Sequence, residues 1–557
     1  MRLVLIALVL SVCFVLAESG TPRQTRAAPD WGDEPPVSWI LGPIQGADGR
    51  EQTILDNLDA IEKWDLPVTA FHFDARTWQT CAGNGEFRYS NRVIKRMNAL
   101  GIRGIFWTVP LIALRCSEYH VALANNYFVT DGEGNVIITD DFTGNGSWID
   151  FNNPDAVAYY RSLLDRLRNR VGGMLGGFYT DNVRPDDRYG QVAYAEQYAL
   201  ELLNYQRAHI PDGVVIFKRY GKNTPSDEFL AEYADVAYVN DLSTDFEGMR
   251  EGIRRVFESA TLMPLPFNEF SGFATSSPDA ETYIRRMHFG AFQPVMENVP
   301  KGAQPWDARY PSRVMEAYRY YATLHRELAP YLYSYQQEAY ETQAPIFRNM
   351  NPANYSAQLG NEIFVRYVTD YHKNIRVKLP PGEWINYWDE AQTFAGDRAI
   401  TYPVPLGREP IFILRGAIIP MHVRNNVTGH GTNASRKFLT VNVYPNAHST
   451  FRYYDAANGW LTFDVTSEQR RVTLCTLDQV PSQPLLYRIA RVQKKPNVVR
   501  TLDGAVGVNA EWGAPLREYA SEEQAARANG GWFYDANAKR LIVKLTALGT
   551  NCSAPSE

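Results

Sequence analysis

Through the first two-thirds of the chain, short apolar runs alternate with stretches of helical spacing. The runs are VSWILG (37–42), PVTAFHFD (67–74), RGIFWTV (103–109), LGGFYTD (175–181), GVVIFK (213–218), DVAYVND (235–241), TLMPLPF (261–267) and AFQPVM (291–296). Each has the length and the branched or aromatic content of a buried strand. Between them, NRVIKRMNALG places Val93, Ile94, Met97 and Leu100 on one helical face, and Gly101 stops the helix. Eight strands alternating with helices predict a closed parallel (β/α)8 TIM barrel over residues 37–345, with an open doubly wound sheet as the rival. No GxGxxG follows the first run, so a dinucleotide fold has little support.

Beyond residue 346 the pattern changes to short β-type runs, EIFVRYV, KNIRVKL and AIIPMHV, separated by Pro/Gly punctuation such as LPPGEW. A proximal β domain over 346–423 and a distal one over 424–557 are expected, giving an α/β barrel followed by β-sandwich domains. At the other end, one Arg precedes an apolar run that finishes in VLA, which reads as a signal peptide over 1–17 cleaved after Ala17. Residues 18–36 form a lead-in too short to bury a core of its own. No later segment has the long apolar stretch of a membrane span.

Composition agrees with an exported, secreted chain. There are N-x-S/T sequons at Asn145, Asn354, Asn426, Asn433 and Asn551. Cys13 leaves with the signal peptide, and Cys81, Cys116, Cys475 and Cys552 remain. Four cysteines allow three pairings, and proximity favours Cys81–Cys116 with Cys475–Cys552. A net charge of −6 without a basic block argues against a nucleic-acid partner. The aromatic content of 13% suits sugar faces as well as cores. Without CxxC or HExxH, no metal site is expected, and oligomeric state is left open.

Candidate chemistry enters with the strand ends. In a TIM barrel the reactive groups sit at the C-terminal ends of the strands. Asp74, Asp181 and Asp241 fall at such ends, and Glu269 follows the seventh run closely. Carboxylates facing each other across a sugar are what glycosidic cleavage needs: one attacks or stabilises the anomeric carbon, the other gives its proton to the leaving oxygen. Acidic strand ends are common, so this pattern alone is a weak signal.

Six segments, in order, carry a more specific resemblance. They are SWIDFNNPDAVAYY (147–160), GGFYTDN (176–182), AYVNDLSTDFEGMREGI (237–253), ETYIRRMHFGAFQPVMEN (281–298), LAPYLYSYQQEAYETQAPIFR (328–348) and PLGREPIFILRGAIIPM (405–421). Together they resemble glycoside hydrolase family 31, the retaining α-glucosidase and α-xylosidase family, over 38–423. The resemblance implies a secreted retaining glycosidase acting on a glycoside or oligosaccharide without cofactor, with Asp181 as nucleophile and Asp241 as acid/base. It places Asp74 and Arg219 on the sugar of the first subsite, Phe142 at a substrate-binding position usually held by Trp, and Phe273 on the pocket wall, with Tyr238 also among the substrate-binding residues. Val299 falls where the family carries a sugar-contacting His, and Tyr238 where it carries Trp. Asn182, Val183 and Arg184 after the nucleophile also depart from the family pattern, as do Thr69 and Arg76 around Asp74. The family's N-terminal β-sandwich has no counterpart ahead of the first run. α-Glucosides are the expected substrates; α-galactosides, α-xylosides and a purely glycan-binding role are the alternatives.

Overall fold

The structure is a computed structural model that describes residues 38–47, 49–75, 87–140, 144–183, 191–221, 224–272, 276–468, 471–503 and 511–545. Eight strands form one parallel sheet: β1 (Ile44–Ala47), β2 (Ala70–Phe73), β3 (Arg103–Thr108), β4 (Leu175–Thr180), β5 (Val214–Lys218), β6 (Val236–Tyr238), β7 (Leu265–Phe267) and β8 (Glu297–Asn298). They neighbour one another in chain order from β1 to β7, and β8 pairs with β1. Just after β7, the Phe270 N–H donates to the Glu297 carbonyl of β8 at 3.0 Å, so the two edges of the curled sheet meet. This is the TIM-type architecture expected from the alternating pattern.

Helices cover the outside. Asn91–Leu100 starts where the Ser90 hydroxyl accepts the Arg92 N–H and ends at Gly101, whose φ of 67° suits glycine. Val93 and Met97 bury the face predicted for this helix, and Ile94 and Leu100 flank it. Gly177 in β4 meets a different demand. A Cβ there would lie 1.9 Å from the Val214 carbonyl oxygen, so only glycine lets β4 and β5 pair. The β3–β4 register shifts at the same place, a bulge of the kind that re-aims the side chains after it, here Tyr179 and Asp181.

Two strands lie a few residues from where the pattern put them. Residues 38–41 form a 3-10 turn with Ile40 and Leu41 buried, and β1 is the IQGA that follows Pro43. Its buried Gln45 breaks the apolar pattern that marks the other strands. The amide is satisfied inside the barrel, its oxygen accepting from Asn298 Nδ2 and from the Tyr318 hydroxyl, both at 3.0 Å. At the other end of the barrel, Ala291 still belongs to the helix Ala280–Ala291, and Pro294 has no N–H to give a ladder. Pairing begins only at Met296, whose carbonyl accepts the Ile44 N–H at 2.8 Å, and β8 follows.

A six-stranded sheet built from Phe347–Asn351 through Ile411–Leu414 comes next. Arg285 of the Ala280–Ala291 helix bonds the segment that leads into its Ile411–Leu414 strand, at Glu409 Oε1 (3.0 Å) and the Val404 carbonyl (2.7 Å). Tyr321, from the helix Ser312–Glu327, bonds the other Glu409 oxygen. The second β layer starts earlier than residue 424, because Ile418–Met421 already pairs with Leu439–Val443. Among the described residues, no helix is long and apolar enough to cross a membrane. The expected signal peptide, lead-in, Cys81 and Cys552 lie outside the described residues; Cys116 and Cys475 are buried.

Candidate active site

Side chains alternate in and out along each barrel strand, so residues two apart share a face. Lys218, the last residue of β5, pairs with Tyr238, the last residue of β6. Trp107 of β3 pairs with Tyr179 of β4, two residues before Asp181. These neighbours converge on two carboxylates. Asp181 Oδ1 accepts from Lys218 Nζ at 2.8 Å and from the Asn182 N–H at 2.7 Å. Asp181 Oδ2 accepts from the Trp107 indole Nε1 at 3.0 Å. Asp241 Oδ2 lies 3.3 Å from the same Lys218 Nζ, and Asp241 Oδ1 accepts from the Tyr238 hydroxyl at 2.8 Å. Lys218 is thus shared by both acids. Its side chain is 4% exposed, against 17% for Asp181 and 40% for Asp241. Burial alone would push the ammonium down; the charges of Asp181 and Asp241 outweigh it and hold Lys218 above the ordinary lysine value.

A second polar layer lies around this pair. His72 of β2 bonds Glu297 of β8 through Nδ1 at 3.0 Å and stacks on Tyr179, ring centroids 4.3 Å apart. Burial opposes its charge, yet Glu297 pulls His72 above the usual histidine range. Glu269 is buried after β7, and burial, reinforced by the charges of Asp241 and Glu297, pushes its carboxyl well up. Asp74 follows β2, its Oδ1 accepting from the Ala75 N–H at 2.7 Å. Burial raises it too, opposed by the positive charges of His72 and Lys301.

The residues singled out from the sequence divide accordingly. Asp181, Asp241 and Tyr238 meet at Lys218, and Asp74 is coupled electrostatically to Asp181 and His72. Val299, just past β8, is buried and donates its N–H to Ser271 Oγ at 3.1 Å; its methyl groups fill the space beside Gly46. Phe142 and Phe273 lie outside the described residues. Arg219 points elsewhere. One residue beyond Lys218, it turns to the outside of the sheet, where Nε and Nη2 bond Asp227 at 2.9 and 3.0 Å and Nη1 bonds Ser259 Oγ at 2.6 Å. The cation beside Asp181 is therefore Lys218, and strand alternation is the reason. Lys218, Trp107, His72 and Glu297 went unnoticed in the sequence. For His72 a signal existed: it alternates with Phe71 and Phe73 and shares a face with Asp74. Lys218 is likewise a strand-end cation, directly beside the residue chosen.

The arrangement offers a bonded carboxylate for attack, a second and more open carboxylate, and a fixed cation between them. The sequence that builds this barrel matches known domain families. The TIM-barrel domain of the family 31 glycosyl hydrolases matches residues 34–208 and 230–335, and that family's C-terminal domain matches 328–419.

The chain belongs to glycosyl hydrolase family 31.

The isomaltosyltransferase of Sporosarcina globispora is 24% identical to this chain, over 89% of it and 49% of its own length. The 1,3-α-isomaltosidase of Kribbella flavida is 25% identical over 58% of this chain and 49% of its own. This chain thus spans about half the length of these relatives. Among solved structures, a Flavobacterium johnsoniae dextranase complexed with isomaltotriose superposes with a TM-score of 0.76. That match covers 92% of this chain and 70% of the dextranase at 18% identity. The cycloalternan-forming enzyme of Listeria monocytogenes, in complex with a pentasaccharide substrate, also gives 0.76, over 92% of this chain and 54% of its own, at 19% identity. At these identities the superpositions establish the fold.

Proposed function

We propose that this family 31 chain is a retaining α-glycosidase that hydrolyses terminal α-linked sugars, α-glucosides above all, through a covalent glycosyl-enzyme. Asp181 is the nucleophile and Asp241 the acid/base. The observation that carries this reading is the shared ammonium. Contacts of 2.8 and 3.3 Å to Lys218 Nζ cap the gap between the two bonded oxygens at the sum of those lengths, about 6.1 Å. That bound accommodates the roughly 5–5.5 Å carboxyl separation of retaining enzymes.

In the first step an Asp181 oxygen bonds the anomeric carbon while Asp241 gives its proton to the departing oxygen. In the second, Asp241 takes a proton from water, whose oxygen displaces Asp181. Asp181 is suited to the first role by its three donors, which fix its plane, and Asp241 to the second by its greater exposure to an incoming water. The α-glucoside preference draws on the relatives, whose names refer to isomaltosyl transfer and isomaltosidase activity. The test is product release from matched aryl α-glucoside, α-galactoside and α-xyloside and from isomaltose. Turnover confined to the galactoside or xyloside overturns the glucoside preference, and no turnover of any favours a purely glycan-binding role.

A second reading is transfer to a sugar acceptor in place of water. The match to an isomaltosyltransferase over 89% of this chain favours it, and the open side of Asp241 is where either acceptor would arrive. Longer oligosaccharides accumulating at high isomaltose concentration would distinguish transfer from hydrolysis. Export rests on the leader reading of residues 1–17, and N-terminal sequencing of the mature protein tests it.

A further inference from the structure

Retaining hydrolysis moves one negative charge back and forth between two carboxyl groups. Before attack, Asp181 is ionised and Asp241 carries a proton. In the glycosyl-enzyme, Asp181 is a neutral ester and Asp241, its proton gone to the leaving group, is ionised. When water attacks, its proton passes to Asp241, the ester bond breaks, and the electron pair returns to Asp181. The total charge of the two groups is the same at every stage; only its location changes.

Lys218 is placed to neutralise that charge at both locations. Its ammonium bonds Asp181 Oδ1 at 2.8 Å and lies 3.3 Å from Asp241 Oδ2, and with the side chain 4% exposed, water does little to screen either contact. A lysine suits this because its compact charge carries three donors on a flexible stem and can lean from one partner to the other, whereas a guanidinium is a rigid fork. The neighbouring cation cannot share the task, because the Arg219 guanidinium is taken up by Asp227 and Ser259. Tyr238, bonded to Asp241 Oδ1, and Trp107, bonded to Asp181 Oδ2, orient the carboxylates but bring no charge.

We propose that Lys218 is the shared counter-ion of both half-reactions, a charge-compensating and positioning residue paired with whichever of Asp181 and Asp241 is ionised. The proposal rests on the roles assigned above to those two residues. It differs from a sugar-binding cation, which would act through substrate affinity, and from a partner of the nucleophile alone, which would favour only the first step.

Lys218→Met and Lys218→Gln test it, each first shown by thermal unfolding to be folded. Glycosylation is followed in single turnovers with an alkyl α-glucoside, deglycosylation by kcat on an activated aryl α-glucoside that gives a burst. Losing a charge-assisted bond should slow both steps by roughly 10–100-fold, with KM for the alkyl substrate changed less than about threefold. Gln should be as impaired as Met, because it supplies a hydrogen bond without the charge. Slowing of only one step, a loss carried by KM, or near-native rates in Lys218→Gln each overturn the proposal. The native enzyme and Asp181→Asn keep the two levels apart. If the native enzyme forms no ester on Asp181, the underlying reading fails; if the ester forms and the Lys218 variants react normally, only the counter-ion role fails.

Discussion

Trp107→Phe isolates one hydrogen bond on Asp181, the proposed nucleophile. Trp107 is 2% exposed in β3, and its indole N–H is the donor on Asp181 Oδ2, at 3.0 Å. Phe keeps an aromatic ring at the position and removes that donor. A hydrogen bond to a charged group contributes about 1.5–3 kcal/mol, which becomes a loss of roughly 10–150-fold if the bond orients Asp181 for attack. Two donors remain on Oδ1, so the carboxylate is loosened and not released, and the lower half of that range is expected. The smaller ring also leaves a void, costing about 1–2 kcal/mol of stability, which acts on the melting temperature and not on the rate of folded enzyme. The assay is kcat and kcat/KM on aryl α-glucosides, with the active fraction fixed by burst titration. The loss should fall on kcat/KM for every leaving group alike, because in the proposed mechanism attack by Asp181 is common to all. A variant that retains full kcat/KM while its melting temperature drops would show that the indole packs the barrel and does not serve the nucleophile.

Other perturbations read different parts of the structure. Tyr238→Phe removes the hydroxyl bonded at 2.8 Å to Asp241 and should cost about 5–20-fold in kcat/KM, more for alkyl than for dinitrophenyl leaving groups; equal losses on both would detach Tyr238 from acid catalysis. Arg285→Met strips a buried carboxylate, Glu409, of its guanidinium and should destabilise the chain by about 3–5 kcal/mol, read as a lower denaturation midpoint; an unchanged midpoint contradicts this. Asp235, bonded by the Tyr340 hydroxyl at 2.5 Å, is raised by burial from 3.8 to about 6. The folded state therefore holds this proton more tightly than the unfolded one, and stability is lost as pH rises through about 6. The full gap corresponds to about 3 kcal/mol, and partial exposure of the residue reduces it to about 1–2. Asp235→Asn should thus raise the melting temperature at pH 7.5 and leave it unchanged at pH 4, and a shift of equal size at both values refutes the linkage.

The barrel was legible because its period is written into the chain: apolar runs of strand length alternate with helical faces, and Gly101 and Ser90 mark helix ends by local chemistry. Where strands depart from the apolar pattern, tertiary partners override hydrophobicity. Gln45 in β1 is buried because Asn298 and Tyr318 satisfy its amide, and those partners lie more than 250 residues away. The two carboxylates could be read at strand ends. Their cation could not be chosen between Lys218 and Arg219, because a one-residue difference in register decides which faces inward. The His72–Glu297 pair was hidden for a related reason. Its members come from β2 and β8, which both flank β1, a neighbour relation that only the closed ring creates.

Trapping the glycosyl-enzyme tests the central claim most directly. The native protein is incubated with a fluorinated α-glucosyl fluoride that forms the ester quickly and hydrolyses it slowly, and is then digested and mapped by mass spectrometry. A single fluoroglucosyl label on Asp181, in the peptide carrying Leu175–Val183, is the predicted result. A label on any other residue, or a reaction that turns over substrate with inversion at the anomeric carbon and no label at all, would contradict the assignment of Asp181 as nucleophile.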